Sequence, residues 1–294
     1  MTEAKREKFI VPIGPQHPAL KEPGNFEFTV DGEIVTDAAV RLGFVHRGIE
    51  KACETRNYTQ DLYLLERVCG ICSHVHATAF VLGVEKLAGV QAPPRAEAIR
   101  VLAAELERIH SHLLWFGVAA HEAGFDTLFM YTWRDREVVM DILESLSGSR
   151  VHYSVNILGG VKIDVDQKLS DLIKKDMDFL EERTEYYMKV VTTDDTFLGR
   201  TRGIGTLSRD RAKLLGAVGP TARASGVKRD IRVNAPYSGY KEFPVKMVID
   251  QTGDLEARFV VRLKELYESY RLIREILEKI QPGDIVTRIK RKSP

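Results

Sequence analysis

From Leu255 to Ile280 the apolar residues return with a helical rhythm: Leu255, Phe259, Leu263, Leu266, Tyr270, Ile273, Leu277 and Ile280. Steps of three and four place them on one face of a helix, and a face of that kind needs a cover in water. Two more segments carry the same signature. Behind Pro93 and Pro94, the residues Leu102, Leu106, Ile109, Leu113 and Phe116 form a second stripe, and Leu169, Ile173, Met177, Leu180 and Met188 form a third. Three long amphipathic helices demand a body in which helices bury one another. The spacing predicts further helices over about 49–67, 73–88 and 134–147, with Gly89 and Gly148 as stops.

Strand periodicity is confined to the N-terminal side. Phe26, Phe28 and Val30 alternate, Asp31-Gly32 supplies a turn, and Ile34, Ala38, Val40, Leu42 and Phe44 continue on even positions, so residues 24–44 read as a hairpin. The expected fold class is mainly α with a small N-terminal antiparallel β-sheet, an α+β arrangement. Residues 1–48 form the hairpin region and 49–294 the helical body, with an irregular stretch rich in Gly, Pro and Arg at about 192–249. "NILGGVKIDV" reads as a loop with some extended structure.

Composition narrows the function classes. The 294 residues carry a net charge of +1, which gives no basis for a nucleic-acid partner, and the basic "RIKRKSP" is too short to change that. Hydrophobic residues make up 44%, enough for a core and against disorder. No run approaches the roughly eighteen apolar residues of a membrane span. The charged N-terminus lacks the apolar centre of a secretory signal. A cytoplasmic protein is expected, with any membrane association made through partner subunits.

Of the three cysteines, two fall in "ERVCGICSHVHATAF", where Cys69, Cys72, His74 and His76 occupy eight positions. Four readings compete. Zinc takes four ligands in a tetrahedron, and this cluster is too compact to close one easily. A thioredoxin-type dithiol follows a strand, whereas "DLYLLERV" reads as helix. Two inert buried cysteines with a satisfied histidine are the plainest account. A soft transition-metal site completed by other thiolates is the fourth.

The flanks bring in a resemblance. "RVCGICSHVHA" resembles the first metal-binding motif, R-x-C-G-x-C-x-x-x-H, of nickel–iron hydrogenase large subunits. "PIGPQHPAL", "LGFVHRGIEK", "ELERIHSHLL", "ESLSGSRVHYSVNILGGV", "VGPTARASGV" and "DLEARFVVRLKEL" extend it over nearly the whole chain. The resemblance is to the energy-converting, membrane-bound type, whose large subunit is homologous to a subunit of the NADH-quinone oxidoreductase, complex I. It implies Cys69 as a terminal nickel ligand, Cys72 as a nickel–iron bridge and His76 as hydrogen-bond donor to a ligating sulfur. It implies a proton-relaying role for Glu50, and Arg67 next to the pair could balance thiolate charge. His17, Asp141, His152 and Arg223 fall in shared motifs and are secondary candidates for lining a cofactor cavity.

The implied activity is reversible reduction of protons to H2 coupled to ion pumping. The implied partners are a small subunit carrying a 4Fe–4S cluster and membrane ion-translocating subunits, with this chain peripheral on the cytoplasmic side of the membrane. The sequence departs from the pattern in one respect. The family's second cysteine pair is missing, so the nickel–iron centre is incomplete here. A cut sequence, a separate C-terminal chain carrying a second Cys-x-x-Cys, and a branch that lost nickel all stay open. Two alternatives to hydrogen chemistry follow: a complex I-related redox subunit that reduces sulfur compounds or another carrier, and a non-catalytic assembly subunit. The quinone-binding tyrosine and histidine of complex I correspond to Gly70 and Lys21, which counts against quinone reduction at that place.

Overall fold

The computed structural model describes residues 8–287 except Ala19 and Lys21. Lys21 and the basic 288–294 segment therefore lie outside the described residues. The chain forms two compact units, residues 1–55 and 56–294.

In the first unit, β1 (Lys8–Ile13), β2 (Asn25–Asp31) and β3 (Ile34–Arg41) pair antiparallel in that order. The expected hairpin is β2–β3. β1 escapes the alternation test because "KFIVPI" is apolar almost throughout, and its Pro12 is tolerated because β1 is an edge strand. One expected detail is corrected. The register shifts between Thr29 and Val30, so Val30 pairs with Val35 while Phe28 pairs with Ala38. The bulge moves Ile34 to the face of Asp31, off the face of Ala38 and Val40. The short helix α1 (Ile49–Cys53) follows Gly48, whose φ of 64° suits glycine.

The second unit opens with α2 (Tyr58–Glu66), so the single helix expected over 49–67 is two. Asn57 is the cause. Its backbone is extended, and its side chain and that of Gln60 form a reciprocal capping box that starts a new helix. α3 (Ser73–Ala88) ends at Gly89 in the left-handed conformation, as its sequence indicates. α4 (Pro94–Glu122) then runs 29 residues, and α5 (Asp126–Ser147) stops at Gly148. α5 begins eight residues before its expected start. Its first turns bury the polar Thr132 and Asp135 beside one apolar residue, Leu128, which hides the stripe; Asp135 is matched by Arg134, Arg183 and the Tyr187 hydroxyl.

A small two-stranded sheet, β4 (Asn156–Ile157) and β5 (Gly160–Val161), precedes α6 (Gln167–Thr193). Gly160 is needed there because a Cβ would come to 2.0 Å from the Ile285 carbonyl oxygen. The irregular region resolves into α7 (Asp195–Thr201), α8 (Arg209–Leu214), α9 (Gly219–Ala224), α10 (Ile231–Asn234) and a 3-10 turn at Ser238–Lys241. Asp194, Ser208 and Asp230 cap three of these by side-chain hydrogen bonds. Each is too short for a periodic signal. α11 (Leu255–Lys279) closes the unit.

The core lies where α4 meets α5, α6 and α11. Phe259 is its centre, with ring centroids of Trp115, Phe116 and Phe197 at 5.0, 5.2 and 5.0 Å in edge-to-face geometry. Among the described residues no helix is long and apolar enough to cross a membrane. Phe259→Ala is expected to cost about 3–5 kcal/mol, read as a lower urea midpoint with an unchanged slope.

Candidate functional site: a cysteine turn against a charged helix

α2 ends at Glu66 and α3 starts at Ser73, and the turn between them carries both cysteines. Cys69 and Cys72 are half-buried. The Ile71 N–H points to Cys69 Sγ at 3.4 Å, a contact that orients the thiol. Beneath the turn runs the segment 151–156. The Ser73 hydroxyl donates to the Val151 carbonyl at 2.8 Å, and the Ser154 hydroxyl to Glu66 at 2.7 Å. Ser154 has φ of 48°, a strained value for a side-chain-bearing residue, and it holds this conformation where its hydroxyl meets Glu66.

Tyr153 is buried under the turn, and its hydroxyl sits 2.8 Å from His110 Nε2. Burial, the nearby Glu107 carboxyl and the two thiols all push the Tyr153 phenol up, so it stays protonated beside the cysteines. Burial and the Arg136 guanidinium push His110 down to about 3. Burial raises Glu66, against the pull of Ser154, Arg67 and His152. Burial likewise lifts Glu107 to about 8, although the N–H groups of His74 and Val75 bond its two oxygens at 2.6 and 3.1 Å.

Cys72 lines a cavity of about 120 Å³ together with Ile71, Glu107, Arg108, Ser111 and His112. Behind it lies a buried polar network. The His112 ring donates from Nε2 to Glu265 at 2.8 Å, and Arg223 donates to the other oxygen of Glu265 at 2.7 Å. Arg232 bridges Glu105 at 2.9 Å and Asp230 at 2.8 Å, while Tyr240 and Ser269 each donate to Glu105 at 2.6 Å. Burial opposes ionisation of Glu105, but Arg232 and Arg108 with these hydroxyls outweigh it and hold the acid at about 2. A mostly apolar cavity of about 230 Å³ shares Val75 and Ala104 with the smaller one.

The candidates drawn from sequence fall in several places. Cys69, Cys72, Arg67 and His152 gather around the turn; Arg67 ends α2, donates to the Tyr63 carbonyl at 2.8 Å and, like His152, acts on Glu66. His76 is half-buried in the first turns of α3, its N–H on the Cys72 carbonyl at 3.3 Å. Arg223 belongs to the network of His112 and Glu265. Asp141 is exposed on α5 and pairs with Arg150 at 2.6 Å. Glu50, exposed in the first turn of α1, and His17 belong to the first unit. The residues not singled out from sequence are Glu107, Arg108, His110, His112 and Tyr153. The signal for the four α4 residues was present in "ELERIHSHLL", which places charged groups all round a helix read as core; Tyr153 lies in the loop after α5 and carried no such signal.

The metal implied by the resemblance fits these residues in part. Two free cysteines, soft donors, share one turn, and Cys53 lies in the other unit. A nickel–iron centre takes four thiolates, and the 294 residues contain three cysteines. Among the described residues no group of three or more His, Cys, Asp or Glu side chains is arranged to hold a metal ion.

Fold and site together give a mainly helical body organised around one half-buried cysteine turn. Comparison with known proteins gives the family. The family model described as respiratory-chain NADH dehydrogenase, 49 Kd subunit, matches residues 122–294, and that of nickel-dependent hydrogenase matches residues 47–121. The chain is 42% identical over 284 residues to membrane-bound hydrogenase subunit alpha of Pyrococcus furiosus, covering 94% of this chain and 66% of that one. It is 35% identical to an NADH-quinone oxidoreductase subunit of Clostridium beijerinckii, over 98% of this chain and 78% of that one. It is 39% identical to formate hydrogenlyase subunit 5 of Escherichia coli, over 94% of this chain and 49% of that one. A chain of the membrane-bound sulfane sulfur reductase, an archaeal respiratory membrane complex, superposes with a TM-score of 0.91 at 28% identity, over 98% of this chain and 78% of that one. The chain thus spans about two thirds of the Pyrococcus subunit and half of the E. coli one. It belongs to the family of the complex I 49 kDa subunit and the nickel-dependent hydrogenase large subunit. Its relatives are oxidoreductase subunits of membrane complexes.

The buried titrating groups set a pH profile for stability. His74 and His112 are pushed down to about 4 and His110 to about 3 from an ordinary 6.5, chiefly by burial. Below pH 6.5 the unfolded chain therefore binds three protons that the folded chain refuses, and stability falls as pH drops. Glu107, with Glu66, runs the other way. The folded state keeps a proton that the unfolded state releases above 4.5, so between there and about pH 8 stability falls as pH rises. The histidines dominate below 6.5 and the acids above, so the urea midpoint should peak near pH 6.5. A midpoint still climbing at pH 8 would contradict these assignments.

Proposed function

We propose that this chain is the large redox subunit, or a major part of it, of a membrane-associated hydrogenase-type complex. Its reaction is 2H+ + 2e− ⇌ H2, with Cys69 and Cys72 as the redox pole. The observation that carries this reading is the thiol pair itself, held on one turn within the segment that matches nickel-dependent hydrogenases. When bound, a nickel–iron centre would supply the redox chemistry of hydrogen. Cys69 and Cys72 would provide two of its thiolates, and the other two would come from outside these residues. Thiolates suit the task because they are soft donors that follow a changing metal charge.

The chain's own groups have definite parts in this scheme. In this reading Arg67 offsets thiolate charge, His76 supports a ligating sulfur from α3, and Glu50 is the proton-relaying acid. His17, Asp141, His152 and Arg223 are its secondary candidates for lining the cofactor cavity. Electrons arrive from an iron–sulfur cluster in a small partner subunit, and membrane subunits translocate ions, with this chain on the cytoplasmic side.

The test is metal content of the complex purified anaerobically with its maturation factors. Nickel and iron in equal amounts at this subunit are expected, with nickel lost in Cys69→Ser; their absence in the unmodified complex removes the reading. A second reading is favoured by the single cysteine pair and by the likeness to the sulfane sulfur reductase chain. There, Cys69 and Cys72 would pass two electrons and two protons to a sulfur–sulfur bond, which breaks into two S–H groups while the two cysteines close into a disulfide; two electrons from the partner subunit's cluster and two protons from water would reopen it. Activity with polysulfide and none with H2 or protons would select it.

A further inference from the structure

Cys72 holds the position immediately before α3, with φ −129° and ψ 35°. A residue there commonly accepts the first-turn N–H groups through a side-chain oxygen of Ser, Thr, Asp or Asn. Cys72 makes no such capping bond. The acceptor is Glu107, 33 residues beyond His74 in sequence and one helix away. Its Oε1 takes the His74 N–H at 2.6 Å and its Oε2 takes the Val75 N–H at 3.1 Å. Glu107 is buried, and it lines the same small cavity as Cys72.

From this geometry we infer that Glu107 is a positioning residue for the thiol pair. It caps α3 from α4 and so fixes the turn that carries Cys69 and Cys72. A carboxyl group suits this place because its forked oxygens serve two adjacent N–H groups at once. Ser73 on Val151 and Ile71 on Cys69 Sγ add single contacts at the same turn. A buried acid also resists replacement, since removing it strands two donors in the interior.

The inference rests on Cys72 being functional, and its test separates the two ideas. The full chain, expressed without maturation factors so that its thiols carry no metal, is alkylated with iodoacetamide, and each cysteine is followed by mass spectrometry. In Glu107→Ala the turn loosens, and Cys72 should react about tenfold faster. Cys53, in the other unit, should react at its original rate. Glu107→Gln keeps one acceptor oxygen and should fall between; if the alanine variant does not fold, the glutamine variant carries the test. In the assembled complex, turnover should fall through kcat while KM holds. An unchanged Cys72 rate in both variants overturns the positioning role. A faster Cys72 in a complex that works equally well with Cys72→Ser overturns the proposed function and leaves the capping intact.

Discussion

Charge pairing along α4 is the constraint on which the rest of the second unit depends. A 29-residue helix with most of its circumference covered would ordinarily carry only apolar side chains, yet α4 buries Arg100, Glu105, Glu107, His110 and His112. Between them they reach every neighbour that the site depends on: α3, the segment under the cysteine turn, β5, α10 and α11. Arg100 forks onto Glu85 of α3 at 2.6 and 3.0 Å and donates to the Gly160 carbonyl in β5. Glu105 takes Arg232 of α10, and Ser269 of α11. His112 takes Glu265 of α11, and His110 meets Tyr153 beneath the cysteine turn. An unpaired charge in the interior costs several kcal/mol, so these elements can pack only where the partners meet.

The apolar contacts supply most of the driving force, and the ionic ones choose among packings. Phe259, Phe116 and Phe197 would tolerate small rotations of α4 against α11, since edge-to-face rings are broad minima. Arg223 and His112, on the two oxygens of Glu265, would not. The cation of Arg262 over the Trp115 ring, 3.5 Å from its centroid, adds a further check on the same contact. Registry of α4 fixes where Glu107 stands, and Glu107 fixes the start of α3. The cysteine turn thus inherits its geometry from pairings on the far side of the core.

Periodicity made the long elements readable, and the short ones were not. α3, α4, α6 and α11 are bounded by signals of known chemistry: Gly89, Pro93-Pro94, Asp166 and Asp254. α7, α8 and α10 are held by single side-chain caps, and their region by backbone contacts with distant residues, such as the Leu207 N–H on the Gly253 carbonyl, which leave no local pattern. For the site, the spacing of Cys69 and Cys72 was legible because chemistry demands adjacent sulfurs. Glu107 was not, because a stripe reading treats a charge on a helix as solvent-facing. The clue was quantitative: α4 has more polar residues than its exposed arc can hold.

Hydrogen chemistry and sulfur reduction ask the same thing of this polypeptide. Both need sulfur atoms held still, half-screened from water, near groups that stay protonated at neutral pH. Tyr153 and Glu107 are such groups, raised by burial beside the turn. Proton donors that keep their protons beside a thiol pair favour steps in which electrons and protons arrive together, since a charge added to sulfur in a dry site is costly unless a proton follows. What separates the two chemistries is the number of further sulfur donors facing Cys69 and Cys72, a property of the assembled site rather than of the turn. The turn alone therefore accommodates either proposed chemistry.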